Sequence, residues 1–265
     1  MKKNILIAVV VIIGGLAAYL YWPQPEPEPV QVQAPPPPPP PPEPEVPEVV
    51  EAPPAAPAAP ALPALSDSDK FVLDALAGLV GNKSLMKVFH TERIINNFVA
   101  TIDNLPGRRA PMRVMPVERA QGSFVTAGTE SDLTISPMNA ERYTPYVKIA
   151  AAVDAKKLVE LYVRLYPLFQ ESYEKLGYPK KYFNNRLIVV LDDLLAAPDI
   201  KAQIKLVQPN VFYLYADPDL EKRSIGQRIL IRVGNKNEAI IKAKLREIKQ
   251  QLMLHLRDGK VASAG

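Results

Sequence analysis

The chain has no cysteine. That excludes a disulfide framework, a thiolate metal site, a cysteine nucleophile and lipid attachment through cysteine. Histidine is nearly as scarce, with only His90 and His255. Neither belongs to a His-x-x-x-His or His-Glu-x-x-His pattern, so a histidine-based zinc site lacks ligands. The Gly-x-Ser-x-Gly elbow of serine hydrolases is absent. So are the Gly-x-x-x-x-Gly-Lys-Ser/Thr loop and the Gly-x-Gly-x-x-Gly fingerprint, which removes the common nucleotide sites. Lysine and arginine are missing from the whole stretch between Pro23 and Pro63. No residue is assigned a catalytic or metal-binding role, no cofactor is implied, and an enzyme is the less favoured reading.

What is present begins with Lys2 and Lys3, followed by an apolar run from Ile5 to Trp22. A charge-free stretch of this length suffices to cross a bilayer as a helix. The lysines mark the cytoplasmic end, so the rest of the chain is expected on the far side. Gly14, Gly15, Ala17 and Ala18 would suit a cleavage site, making a removable signal the alternative. Tyr19, Tyr21 and Trp22 continue the apolar run and place aromatics at the membrane interface, which favours an uncleaved anchor. Residues 1–22 are therefore read as a signal anchor, touching the membrane through residues 4–22. The expected location is the bacterial inner membrane, single-pass, with a periplasmic C-terminal domain.

Residues 23–64 read as a disordered, extended proline-rich linker. Pro23–Pro63 holds 19 of the 29 prolines, and its only charges are six glutamates. Proline fixes φ and removes a backbone donor, so helix and sheet are both excluded. The run Pro35–Pro42 suits polyproline II, and 41 such residues could reach ~130 Å at ~3.1 Å each. The tract serves as a spacer or, alternatively, as a ligand for an aromatic groove.

The remaining chain is long enough for one sizeable core, read as an α-rich domain over 65–258 with a disordered tail at 259–265. It carries 30 Lys and Arg against 22 Asp and Glu, a formal charge of +8. Such a balance suits anionic partners, although export leaves nucleic acid out. Helical spacing dominates. Ser66 and Asp67 precede Val72, Leu76 and Leu79, and a second helix is expected from Thr91 to Leu105. Ser123–Ala127 and Leu133–Ser136 read as a short hairpin around Gly128–Asp132. Ser136-Pro137 opens a helix to Ala152 with a break expected at Thr144-Pro145, and Asp154 caps the next, with a kink expected at Pro167. Tyr182–Leu195 forms another helix, Val211–Tyr215 is extended, and Asp217-Pro218 looks like a cap. Asn235 begins the last helix, with Ile241, Leu245, Ile248 and Leu252 as its buried seam and Lys242, Arg246 and Lys249 on the wet side. The fold class is mainly α: a single helical domain with a small β-hairpin element.

Several segments carry a resemblance. Phe98–Pro106 (FVATIDNLP), Tyr166-Pro167-Leu168-Phe169-Gln170, Leu176-Gly177-Tyr178-Pro179 and Tyr182-Phe183-Asn184 occur in order. Leu206-Val207-Gln208-Pro209, Ala216–Glu221 (ADPDLE) and Lys242–Glu247 (KAKLRE) follow. Together they resemble a bacterial family catalogued as domain of unknown function 3014, over most of residues 65–250. The resemblance implies an N-terminal anchor and a proline-rich spacer, and it brings no assigned activity.

Seven tyrosines fall between Tyr143 and Tyr182. Tyr162, Tyr166, Tyr173, Tyr178 and Tyr182 are the binding candidates, because an exposed aromatic strip stacks on sugars or anchors a protein partner. The competing reading is that the strip is core, each hydroxyl reaching a polar edge. Arg108 and Arg109, after Pro106-Gly107, are the candidates for contacting an anion. Asp217, Asp219 and Glu221 could form an acid/base or cation site, but capping and dipole roles account for them more simply. Asp103-Asn104 are read as shaping a turn. The chain is thus expected to bind or scaffold in the cell envelope, with an envelope protein as partner. The alternative is recognition of peptidoglycan or another glycan.

Overall fold

A computed structural model of the protein describes residues 61–80, 90–152 and 154–257. The expected membrane helix over 1–22, the linker up to residue 60 and the tail over 259–265 lie outside the described residues. No helix among the described residues is long and apolar enough to cross a membrane.

The described residues are mainly helical, with two small antiparallel hairpins. The helices are α1 (Ser68–Val80), α2 (Ile94–Asn104), α3 (Met138–Ala151), α4 (Ala155–Lys175) and α5 (Phe183–Leu195). The short α6 (Pro218–Glu221), α7 (Ile225–Arg232) and the long α8 (Asn235–Arg257) complete them. Helix α8 buries the expected seam of Ile241, Leu245, Ile248 and Leu252 and packs on α3, α4 and α5. Helix α2 lies across α4 and α5 with Ile95, Val99 and Ile102 buried, and Phe98 meets Phe169 edge-on at 5.5 Å.

Helix starts follow local chemistry in some places and distant chemistry in others. The Asp154 carboxylate accepts from the Lys156 and Lys157 N–H groups at 3.0 and 3.2 Å, and Asp217 accepts from Asp219 N–H at 2.8 Å. Ser224 caps α7, its hydroxyl oxygen accepting from Gln227 N–H at 3.1 Å. Helix α2 starts at Ile94 rather than near Thr91, after Arg93 in a left-handed conformation with φ 52°. Its orphan donors are met from α1, where the Asp69 carboxylate accepts from Arg93 and Ile94 N–H at 2.6 and 2.8 Å.

Neither Pro145 nor Pro167 ends its helix, contrary to the break expected at Thr144-Pro145. Both prolines are exposed, so the carbonyl that loses its intrahelical donor lies on a face that water reaches.

Strand β1 (Thr126–Ala127) pairs with β2 (Thr134–Ile135), a shorter form of the expected hairpin. Gly128, with φ 91°, is required at its tip, because a Cβ there would lie 2.2 Å from the Asp132 carbonyl oxygen. A second hairpin pairs β3 (Leu206–Val207) with β4 (Leu214–Tyr215). The two hairpins join edge to edge through Leu206 N–H to Leu133 O at 2.8 Å and Ile135 N–H to Ile204 O at 3.0 Å. Leu206, Tyr215 and Ile231 form a small second core beneath them. Strand β3 is only two residues long and carries no alternation in the sequence.

Lys242 corrects another expectation. It is 7% exposed rather than on the wet side, with Nζ 2.9 Å from Glu238 Oε1 and donating to the Ala197 carbonyl. The turn after α5 covers this flank of α8, and a helical wheel cannot report what covers a flank. Burial raises the Glu238 pKa, while the hydrogen bond and charge of Lys242 oppose that rise. Lys242→Met alone should cost about 3–5 kcal/mol, because it leaves a buried carboxylate without its partner. The double variant Glu238→Leu/Lys242→Met should lose much less, a non-additivity that urea denaturation of the full chain measures.

Candidate functional site

Helix α4 carries Tyr162, Tyr166, Phe169 and Tyr173 at spacings of three and four, which places them along one face. The three tyrosines are buried. The Tyr162 ring lies 5.1 Å from Phe169 and 6.5 Å from Phe183, and Phe169 stacks on Phe183 at 5.9 Å with the planes 6° apart. Tyr162 donates its hydroxyl hydrogen to Asn184 Oδ1 at 2.6 Å, and Tyr166 donates to Gln170 Oε1 at 2.9 Å. Gln170 Oε1 also accepts from Phe183 N–H at 2.9 Å, and the Asn184 N–H reaches the Tyr166 hydroxyl. Tyr182 offers no side-chain cap to α5. The first donors of α5 are therefore satisfied by side chains of α4.

Burial raises the Tyr162 phenol well above its ordinary value and pushes Tyr166 up to about 12, with the neighbouring Tyr182 adding to the latter. Tyr173 is raised as well, by burial first and then by the Asp103 charge.

The α4–α5 turn folds over the end of α2. Gly177, at φ 115°, lets the chain leave α4 in the left-handed conformation. Tyr178 then stacks on Tyr173 at 4.6 Å and donates its hydroxyl hydrogen to Asp103 Oδ2 at 3.1 Å. Asp103 also pairs with Arg186, whose Nε lies 2.7 Å from Oδ1, while Arg186 Nη2 donates to the Asp103 carbonyl. The Asp103 charge and hydrogen bond hold the Tyr178 phenol above its usual value. Lys181 places its ammonium 5.3 Å from the centre of the Tyr178 ring. Beside this cluster a hollow of about 420 Å³ opens to solvent, with Tyr182, Val189 and Lys180 on its walls. Of the five candidate tyrosines, Tyr178 is half-buried and Tyr182 is 38% exposed, while the other three face inward.

Asp103 and Arg186 were not among the sequence candidates. They lie 83 residues apart, and nothing local to Asp103-Asn104 distinguishes an ion-pair partner from a turn former. The stretches Phe98–Pro106, Tyr166–Gln170, Leu176–Pro179 and Tyr182–Asn184 each contribute contacts at this end of the molecule, where Tyr162, Tyr173 and Arg186 supply further partners.

The other candidates sit elsewhere. Arg108 and Arg109 do not line this hollow. Arg108 lies against the α6–α7 turn, donating from Nη1 to the Lys222 carbonyl at 3.3 Å and accepting at its own carbonyl from Arg228 Nη2 at 2.6 Å. Asp217 is a cap, while Glu221 accepts from Tyr215 N–H at 2.9 Å and pairs with Arg228 at 2.6 Å. Asp217 and Glu221 thus have separate local tasks, and the Asp219 carboxylate lies 3.9 Å from Lys222 Nζ. His90 Nδ1 lies 3.3 Å from Glu118 Oε1. Among the described residues no group of three or more His, Asp or Glu side chains could hold a metal ion.

Fold and site together define a helical domain with two joined hairpins and an aromatic hollow at one helix turn, rimmed by basic residues. Residues 94–249 match the model of a family described as protein of unknown function (DUF3014), and the match spans more than half of the chain. The chain belongs to this family. No curated protein and no solved structure matches it.

Two outcomes follow for the cluster. The stability that the raised phenols contribute is complete below pH 10, and it should fall as pH rises through about 12, the Tyr166 value. Asp103→Asn should cost about 1.5–3 kcal/mol, by removing a charged hydrogen-bond and ion-pair partner. It should also return Tyr178 toward 10.0, which difference absorbance of ionised tyrosine would register.

Proposed function

We propose that the chain is a single-pass inner-membrane protein whose domain stands in the periplasm and binds or scaffolds a protein partner in the cell envelope. Residues 4–22 would span the membrane, and the proline-rich residues 23–64 would hold the domain clear of it. The observation that carries the protein-partner reading is the inward turn of Tyr162, Tyr166 and Tyr173. With these rings buried, the surface left for stacking on a sugar strand is Tyr182 and part of Tyr178. The hollow between them combines apolar walls with cations, a composition suited to a peptide segment.

Because the chain has no cysteine, a single engineered thiol is a unique label. A membrane-impermeant maleimide, applied to cells with a permeabilised outer membrane, should modify Ser263→Cys and leave Lys3→Cys untouched. The opposite pattern would overturn the topology. Full-length protein sedimented with peptidoglycan sacculi should be released at moderate salt, when screening removes the pull of the +8 domain. Sedimentation that resists salt would replace the protein partner with a glycan.

A further inference from the structure

The hollow beside Tyr178 is one side of a larger surface. The outer face of α5 rises between it and a second hollow of about 670 Å³, and Asn185 lines both. The second hollow lies between α5 and the end of α8, with Ile188, Met253 and Leu254 among its walls. Tyr182, Val189, Met253 and Leu254 are four of the nine exposed large hydrophobic residues among those described, so the exposed apolar surface concentrates here rather than scattering.

Charge on this surface is mostly positive. Lys180, Lys181, Arg186 and Arg257 line the two hollows, against the single carboxylate of Asp103. Asp103 is held by Arg186 and by the Tyr178 hydroxyl. Asp192, further along α5, is paired with Lys249. Lys180 and Arg257 make no ion pair among the described residues, and they stand at opposite ends of the saddle. An apolar floor with cations at both ends that pair with no described carboxylate complements a segment whose apolar anchors are flanked by acids.

We propose that this saddle over α5 docks an acidic, apolar-anchored segment of a partner protein. The inference rests on the binding-module reading and names the surface and the chemistry of its partner. Val189 and Met253 anchor the two sides, and Lys180 and Arg257 select for negative charge.

The test uses the full chain in cells, with a photo-crosslinking amino acid placed in turn at Val189, Met253 and, on the far hairpin, the exposed Val211. Adduct peptides are then sequenced by mass spectrometry. The expected result is that positions 189 and 253 both join one acidic stretch of a different protein. Lys180→Glu/Arg257→Glu should lower that yield about tenfold while leaving the thermal melt unchanged. Adducts to a neutral or basic stretch, to a second copy of this chain or to its own tail overturn the proposal, as does a yield indifferent to the charge reversal. Protein adducts at position 211 with none at 189 or 253 would remove this surface and keep the binding module. An absence of protein adducts at all three positions would remove both.

Discussion

A buried phenol must still give its hydroxyl a partner, and this requirement organises the end of the domain where α4 meets α5. The rings of Tyr162 and Tyr166 belong in the core, packed with Phe169 and Phe183, but their hydroxyl groups cannot be left there unpaired. The first turn of α5 has the complementary deficit, with free N–H groups and no cap from Tyr182. Asn184, Gln170 and the two phenols resolve both at once. The register of α5 against α4 follows from that match, and the position of everything mounted on α5 follows from the register.

Tyr178, Arg186 and Asp103 extend the same logic to α2. The turn between α4 and α5 is short, so Tyr178 is delivered directly onto Tyr173, with its hydroxyl at the Asp103 carboxylate. Arg186, one turn into α5, meets the same carboxylate. Three helices thus meet at one partly buried charge pair, whose hydrogen bonds hold the inner wall of the hollow. Tyr182 and Val189 are left on the outside because α5 has already committed Phe183, Leu187 and Val190 to the core. The apolar surface exposed on α5 is therefore a consequence of which face the core takes.

The sequence by itself determined the elements that depend on neighbours in the chain. The absence of cysteine and of nucleotide and hydrolase motifs, the apolar run to Trp22 and the proline tract are all matters of composition and order. Within the domain, the caps at Asp154 and Asp217, the seam of α8 and the hairpin tip at Gly128 were legible, because each is decided by a few adjacent residues. The tyrosine stripe on α4 was legible too, as a spacing with two readings.

Tertiary structure decided the rest. Whether a stripe of tyrosines faces a core or a solvent depends on what lies opposite, and Phe183 and Asn184 arrive there only through the turn. The start of α2 is set by Asp69 of another helix, and the burial of Lys242 by the chain after α5. Asp103 acquires its role from Arg186 and Tyr178, far along the chain. The second hairpin depends on an edge supplied by the first. In each case the deciding energy is a contact between segments distant in sequence, and no local pattern encodes which distant group will arrive.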